Sequence, residues 1–382
     1  MLPVFRMVYS QICTWLDDYI GGDSPEELLD TWDLTEWVEE SEIVEVFSDC
    51  FIDMLKTKKA QNDAEKIVHG LIWEYYLLRR SESLQRLTAD ADLCMRLRSE
   101  VSVRQRTNEW HKERSSVLTA SEFHSILGDG STRDAVVKSK IVTGLRDSRN
   151  TEVQTVFLTG RNGKLNPCAW GFRFEQVVGD IYSTIAGCDI YCGLGRLRHK
   201  TLSKLAASPD GLVISGPGAG RLLEFKAPVS RQIEDDIVPY EYYCQIQIQL
   251  EVCDAAAADY CECKIENGLI SDGKYIGALA VIGDKANIAS WTYVYSPVYP
   301  NTDTGLTQVK AWTPEGNVIE HQFWTCVKTH IMTVMRNKRW WSTVGLPEYE
   351  CFWKDVENKR GVPDVIFIEE DTYQKPLFID DI

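Results

Sequence analysis

The sequence predicts an α/β fold, a mixed central sheet flanked by helices, with an added helical region at the N-terminus. Three features predict it. Residues 1–100 carry apolar side chains at three- and four-residue spacings. Residues 207–228 read as a β-hairpin. After that hairpin, helix-like and strand-like segments alternate.

In the first of these regions, Ser24-Pro25-Glu26 is a good helix start. Ile43, Phe47, Phe51 and Leu55 share one helix face, as do Ile67, Leu71, Tyr75 and Leu78. No catalytic constellation appears here, and packing or docking of a partner is the expected role.

The hairpin begins with Ala207-Ser208-Pro209-Asp210-Gly211-Leu212-Val213 and turns at Ser215-Gly216-Pro217-Gly218-Ala219-Gly220. It returns as Arg221-Leu222-Leu223-Glu224-Phe225-Lys226. Alternation on a strand sends Leu222, Glu224 and Lys226 to one face and Leu223 and Phe225 to the other, into a core. An acid and a base side by side, with Asp210 from the partner strand, are costly unless something binds there. Paired carboxylates repel, and a divalent cation removes the repulsion. Lys226 stands where a water on such a cation could be held and deprotonated. Glu-x-Lys alone is weak evidence, because an exposed strand with an ion pair reads the same way. The conjunction with Ser-Pro-Asp-Gly is far more specific.

Composition bounds the function. The chain has 382 residues and a formal net charge of −16, which argues against a nucleic-acid partner if the charge is uniform. It is not uniform: residues 101–232 hold 12 acids against 19 bases, so the hairpin lies in a net positive segment able to meet phosphate. No apolar run approaches a membrane span, and no signal peptide is evident, so no membrane and an intracellular location, cytosol or nucleus, are expected. The 12 cysteines are scattered without zinc-site spacing and read as free thiols.

Upstream, Thr119-x-x-Glu122 is a capping box, so a helix is expected from there to Gly128. Ser121 then falls in its first turn, where free N–H groups favour an anion, and Arg114 can offer a forked pair of hydrogen bonds to a phosphate. Residues 129–165 are polar and basic, including Arg133, Lys138 and Lys140; a solvated or DNA-facing surface is expected. Asn166-Pro167 opens a helix through about Ile185, with Glu175 amid its apolar side, where a carboxylate needs a partner. Pro239 opens another, carrying Gln245, Gln247 and Gln249, which cannot share one helix face. Residues 256–264, 275–283 and 288–294 read as strands. Val318–Met335 reads as an amphipathic helix on the spacing of Ile319, Phe323, Val327, Ile331 and Met335. The tail from Trp340 is mixed and acidic, a loosely held extension or a partner motif.

Four blocks carry a resemblance to a known family. They are Trp110-His111-Lys112-x-Arg114 with Thr119-Ala120-Ser121-Glu122-x-His124; Trp170-Gly171-x-x-x-Glu175; Ser208-Pro209-Asp210-Gly211 with Glu224-x-Lys226; and Tyr242-x-x-Gln245-x-Gln247. In this order they resemble the lambda exonuclease-like (YqaJ-type) viral recombinase and alkaline exonuclease family of PD-(D/E)xK nucleases, over residues 104–335. The resemblance implies a restriction-endonuclease-like core and Mg²⁺- or Mn²⁺-dependent hydrolysis with two ions. Asp210, Glu224 and the Phe225 carbonyl would be ligands, Glu175 a ligand or nearby base, Lys226 the water-positioning residue, and Gln245 an active-site amide. Arg114, Ser121 and Ser208 would grip a 5′-phosphate. The implied activity is 5′→3′ trimming of double-stranded DNA ends to leave 3′ strands. A homotrimer around DNA and a single-strand annealing protein are the implied partners. An endonuclease or RNA-degrading enzyme of the same fold, and a non-catalytic DNA-end scaffold, are the alternatives. The expected organisation is an accessory region at 1–100, a nuclease domain at 101–340 and an acidic extension at 341–382.

Overall fold

The computed structural model describes residues 91–141, apart from 101, 106 and 129, and residues 165–360, apart from 166 and 236. The chain divides into two units, Met1–Leu87 and Thr88–Ile382. The helices expected before residue 91, and the basic residues Arg146, Arg149, Arg161 and Lys164, lie outside the described residues.

The second unit opens with α1 (Ala91–Ser99), whose Leu93, Cys94 and Leu97 enter the core of that unit. Helix α2 (Asn108–Arg114) leads to the short strand β1 (Leu118–Thr119) and the single turn α3 (Ala120–Phe123). Helices α4 (Ser131–Ile141) and α5 (Pro167–Ala186) follow. Next come β2 (Asp189–Tyr191), β3 (Leu197–Arg198), β4 (Leu205–Ala207) and the expected hairpin, β5 (Gly211–Ser215) with β6 (Leu222–Lys226). Its loop turns through Gly216, Gly218 and Gly220, all at φ between +77° and +96°, where a Cβ would be strained. Helix α6 (Tyr240–Cys253) carries the chain to β7 (Ala257–Asn267), β8 (Tyr275–Asp284), β9 (Asn287–Tyr295) and β10 (Tyr299–Pro300). Helix α7 (Asp303–Ala311), β11 (Val318–Met335) and α8 (Leu346–Arg360) complete it.

The large sheet has the order β10-β8-β11-β7-β6-β5-β2, with β9 also on β8. Strands β2, β5 and β6 are antiparallel, and β7 returns parallel to β6 through α6. Helix, three antiparallel strands, helix and parallel strand follow in the order expected of the mixed core. Helices cover both faces. Leu212 and Leu222 pack toward α6, whereas Val213, Leu223 and Phe225 pack under Phe174, Val177, Val178 and Ile181 of α5. Gly179 permits that approach: a Cβ there would stand 3.0 Å from the Phe225 ring. The hairpin is therefore enclosed on both sides, and Glu224 lies under α6 rather than on an open face.

A smaller sheet, β1-β4-β3, stands beside the first. Strands β1 and β4 are parallel, with Thr119 opposite Ala206, and β3 is antiparallel, with Leu197 opposite Ala207. This register brings Ser121, Ser208 and Arg196 to one end: two of them follow a paired residue by two positions, and the third precedes Leu197.

Three expectations are corrected. Val318–Met335 is a strand, paired to β7 along one part of its length and to β8 along the other. A spacing of four suits a regular strand as well as a helix, and the Val, Ile and Thr content favours the strand; the observed strand slips register at Val327, so that Phe323 and Ile331 pack on opposite faces. Residues 346–360 are no loose extension: Tyr349, Phe352, Trp353 and Val356 are buried in the core. Arg133 and Lys140 do not face outward. Arg133 pairs with Glu348 at 3.1 Å and Asp355 at 3.0 Å, fastening α8 to α4, and Lys140 is 1% exposed. Among the described residues no helix is long and apolar enough to cross a membrane.

Phe352→Ala tests the seat of α8. The ring is fully buried, so its loss should cost about 3–5 kcal/mol, read as a lower midpoint in denaturant; an unchanged midpoint would return the segment to an extension.

Candidate active site

Strand β6 projects Glu224 and Lys226 on the same side. The Glu224 carboxylate is 1% exposed, and both of its oxygens accept hydrogen bonds from α6: Gln245 Nε2 donates to Oε1 at 2.7 Å and Gln249 Nε2 to Oε2 at 2.6 Å. Lys226 Nζ lies 3.0 Å from Oε1 and 4.4 Å from the centre of the Tyr242 ring. Two amide donors and an ammonium allow an ionised carboxylate to sit inside the protein.

Asp210 immediately precedes β5. Past Leu223, β6 has no pairing with β5, and the free Phe225 N–H donates to Asp210 Oδ2 at 2.8 Å. The side chain thus continues the ladder where the strand stops. Burial, then the charges of Glu224 and Glu175, push the Asp210 carboxyl well above the usual range, against the opposing pull of Lys226 and the Phe225 N–H. Glu175 comes from α5, on the other side. Asp210, Glu224 and Glu175 are thereby close enough to repel. Among the described residues no three His, Cys, Asp or Glu side chains close into a metal cage. The donors at hand are the Asp210 and Glu224 carboxylates and the Phe225 main-chain carbonyl, with the Glu175 carboxylate nearby, hard oxygens that fit Mg²⁺ or Mn²⁺. Their mutual repulsion is of the kind a cation relieves.

A cavity of about 100 Å³ opens beside this cluster. Arg114, Ser121 and Ser208 all line it, as do Arg196, Gln245 and Gln249. Trp110 Nε1 donates to Ser208 Oγ at 3.4 Å, and the indole face carries the Arg196 guanidinium at 4.3 Å. Behind the lining, Glu122 bonds Arg114 at 3.1 Å and Lys140 at 2.8 Å, and accepts from the Thr119 N–H and hydroxyl. Burial alone would raise the Glu122 carboxyl, but Lys140, Arg114 and the Thr119 hydroxyl outweigh it and hold it at about 2. Burial lowers the Lys140 ammonium from its usual value, with Glu122 opposing.

Residues 109–256 match the model of the YqaJ-like viral recombinase domain. This segment is similar to the YqaJ-like domain over about two fifths of the chain. It holds every site residue named from the sequence. An uncharacterized protein of Acanthamoeba polyphaga mimivirus is 29% identical over 177 residues, which is 42% of this chain and 29% of that protein's length. The match thus spans under a third of the curated relative. An alkaline exonuclease from Laribacter hongkongensis is 16% identical, covering 66% of this chain and 94% of its own, with a TM-score of 0.37. A phage-related exonuclease from Haemophilus somnus is 11% identical, with 64% and 94% coverage and a TM-score of 0.32.

Within the matched segment one expected feature is replaced. The helix expected from Thr119 to Gly128 is one α-turn and a 3₁₀ turn, His124–Ile126, too short to build a dipole at Ser121. The positive character of the pocket comes instead from arginine side chains. Two residues escaped the sequence reading. Gln249 lies four positions from Gln245, a spacing that puts both amides on one helix face. Gln247 points elsewhere, to the Met335 carbonyl and the Asn337 N–H. Arg196 carried no motif; only strand register brings it to Ser208.

Glu122→Gln should cost about 3–5 kcal/mol near neutral pH, since it strands the buried Lys140. The Glu122 carboxyl titrates at about 2 rather than 4.5, so its contribution is complete above pH 4.5 and fades as pH falls toward 2. Denaturation of the two proteins at pH 7 and pH 3 should show the gap narrowing in acid; a constant gap would contradict the pairing.

Proposed function

We propose that this protein is a metal-dependent nuclease that trims double-stranded DNA from 5′-phosphorylated ends. One observation carries the reading: the anion pocket and the carboxylate cluster share residues. Ser208 lines the pocket and Asp210, two positions on, joins the cluster. Gln245 and Gln249 line the pocket while donating to Glu224. A strand anchored by its terminal phosphate would present a nearby internal phosphodiester to the carboxylates.

Asp210, Glu224 and the Phe225 carbonyl would hold Mg²⁺ or Mn²⁺, with Glu175 in support. When bound, such ions acidify a water and offset charge on the scissile phosphate and leaving oxygen. Lys226, held between Glu224 and the Tyr242 ring, would orient the attacking water by a donated hydrogen bond and offset the charge that develops as the water loses its proton to solvent. Gln245 and Gln249 keep the Glu224 oxygens in fixed directions, so the site is ordered before substrate arrives. Gln249 Oε1 is buried without a partner, an acceptor able to fix a water at the pocket floor. Arg114 and the two serines would hold the end phosphate, whose nearly two charges separate it from an internal diester with one.

Digestion of end-labelled linear DNA, closed circular DNA and RNA, with and without chelator, tests the proposal. Linear duplex should be consumed from its ends only when the metal is free. Asp210→Asn and Glu224→Gln should abolish hydrolysis. Lys226→Ala should slow it by about 10² or more while DNA binding in Ca²⁺ stays near normal. A Lys226 variant that loses binding alone would reassign it as a phosphate contact.

End preference gives a separate expectation. Duplex with a 5′-phosphate should be degraded faster than the same duplex with a 5′-hydroxyl, and Arg114→Ala should remove roughly tenfold to a hundredfold of that preference. Equal rates on the two ends by the unmodified protein would reduce the reading to a nuclease without an end pocket.

A further inference from the structure

Arg196 is buried in a way that its neighbours do not explain. It is 3% exposed and lines the anion pocket. Its main-chain N–H is spent on the Val103 carbonyl, and its Nη1 donates to the Trp110 carbonyl. Its Nε and Nη2 are buried and have no hydrogen-bond partner. Those two nitrogens form one edge of the guanidinium, the fork that receives two oxygens of a single carboxylate or phosphate.

Nearby acids pair with other cations. Glu122 is held by Arg114 and Lys140, and Glu113 pairs through one oxygen with Arg198 at 3.2 Å while its Oε2 is buried without a hydrogen bond; both favour the Arg196 charge without bonding to its fork. Among the described residues no carboxylate forms an ion pair with Arg196. Burial, then the repulsion of Arg114, pulls its pKa down to about 10, which leaves it charged at neutral pH. Arg114 and Arg196 both line the pocket, two guanidinium groups against a phosphate monoester, which carries nearly two negative charges. A buried guanidinium with an open fork is costly by itself and favourable once two phosphate oxygens fill it.

We propose that Arg196 is a specificity-determining residue of the pocket, its open Nε–Nη2 fork binding two oxygens of a terminal phosphate while Trp110 holds the guanidinium plane and steers Ser208. This rests on reading the pocket as an end-phosphate site and adds a residue that no sequence motif marked. Arg114 supplies one charge from the α2 side; Arg196 supplies the second from the strand side. An internal diester would leave one of the two uncompensated, and that difference is the basis of discrimination.

The test uses the full chain and two readouts. The first is thermal stability in inorganic phosphate against chloride at equal ionic strength, which needs no turnover. Phosphate should raise the melting temperature of the native protein, and Arg196→Met, which keeps the stem and removes the fork, should lose most of that rise. The second is the ratio of degradation rates on 5′-phosphate and 5′-hydroxyl duplex in Mg²⁺, which Arg196→Met should reduce by about tenfold or more. Arg196→Lys, which keeps the charge without the fork, should recover only part of either effect, and serves alone if the methionine variant does not fold. A side chain that merely packs against Trp110 would shift the melting temperature equally in both salts and leave the ratio intact; that result overturns the proposal. Loss of the phosphate response in a protein with no Mg²⁺-dependent hydrolysis would overturn the nuclease reading and support the Arg196 site. Hydrolysis with the native end preference retained in Arg196→Met would do the reverse.

Discussion

The Glu224 carboxylate is almost wholly removed from water at the middle of the main sheet, and the arrangement around it follows from that burial. An ionised carboxylate in the interior needs donors for its oxygens. Gln245 and Gln249 supply them from α6, and Lys226 supplies a third from the same strand. These bonds fix the rotation of α6 over β6. That rotation turns Tyr242 onto Lys226 and places the two glutamines along the wall of the neighbouring cavity. The same contacts thus stabilise the packing of a helix on a sheet and set the directions in which the Glu224 oxygens are available.

A second constraint joins the two sheets. Pro209 separates Ser208, at the end of the small sheet, from Asp210, at the start of the large one. Gln105 Nε2 donates to the Pro209 carbonyl at 3.3 Å, and the Asp210 N–H donates to the Leu223 carbonyl at 3.0 Å, so the link is tied at both ends. Its span is a single residue, leaving little freedom between the proposed anchoring phosphate and the proposed point of hydrolysis. Such short coupling suits chemistry in which small displacements lower the rate.

The segments that misled pattern reading share a physical cause. Ile319, Phe323, Val327, Ile331 and Met335 satisfy a helical and a strand period at once, and only β7 and β8, with unpaired edges to fill, decide for the strand. The segment around Ser121 has a helix start, yet it tightens after one turn into the 3₁₀ turn His124–Ile126, whose Ile126 is buried in the core. Helix α8 looked acidic and aperiodic because its acids face the partners that hold it: Glu348 and Asp355 bind Arg133, and Glu357 binds Lys204. Charge in a sequence reads as solvent exposure until the opposite charge, 150 residues or more away, is brought beside it.

Local structure was legible in the sequence by itself. The hairpin, the helices from Pro167 and Pro239, the strands around β7, β8 and β9, and the residues Asp210, Glu224, Lys226, Arg114, Ser121 and Ser208 all stand in short motifs whose spacing is set by backbone geometry. Tertiary structure alone decided what those motifs meet. Gln249 became a partner of Glu224 through the rotation of α6, Arg196 reached Ser208 through the register of β3 on β4, and Lys140 left the surface for Glu122. Each depends on contacts between residues distant in the chain, chosen by which buried charges and hydrogen-bonding groups could be satisfied together, and one-dimensional spacing does not encode that choice.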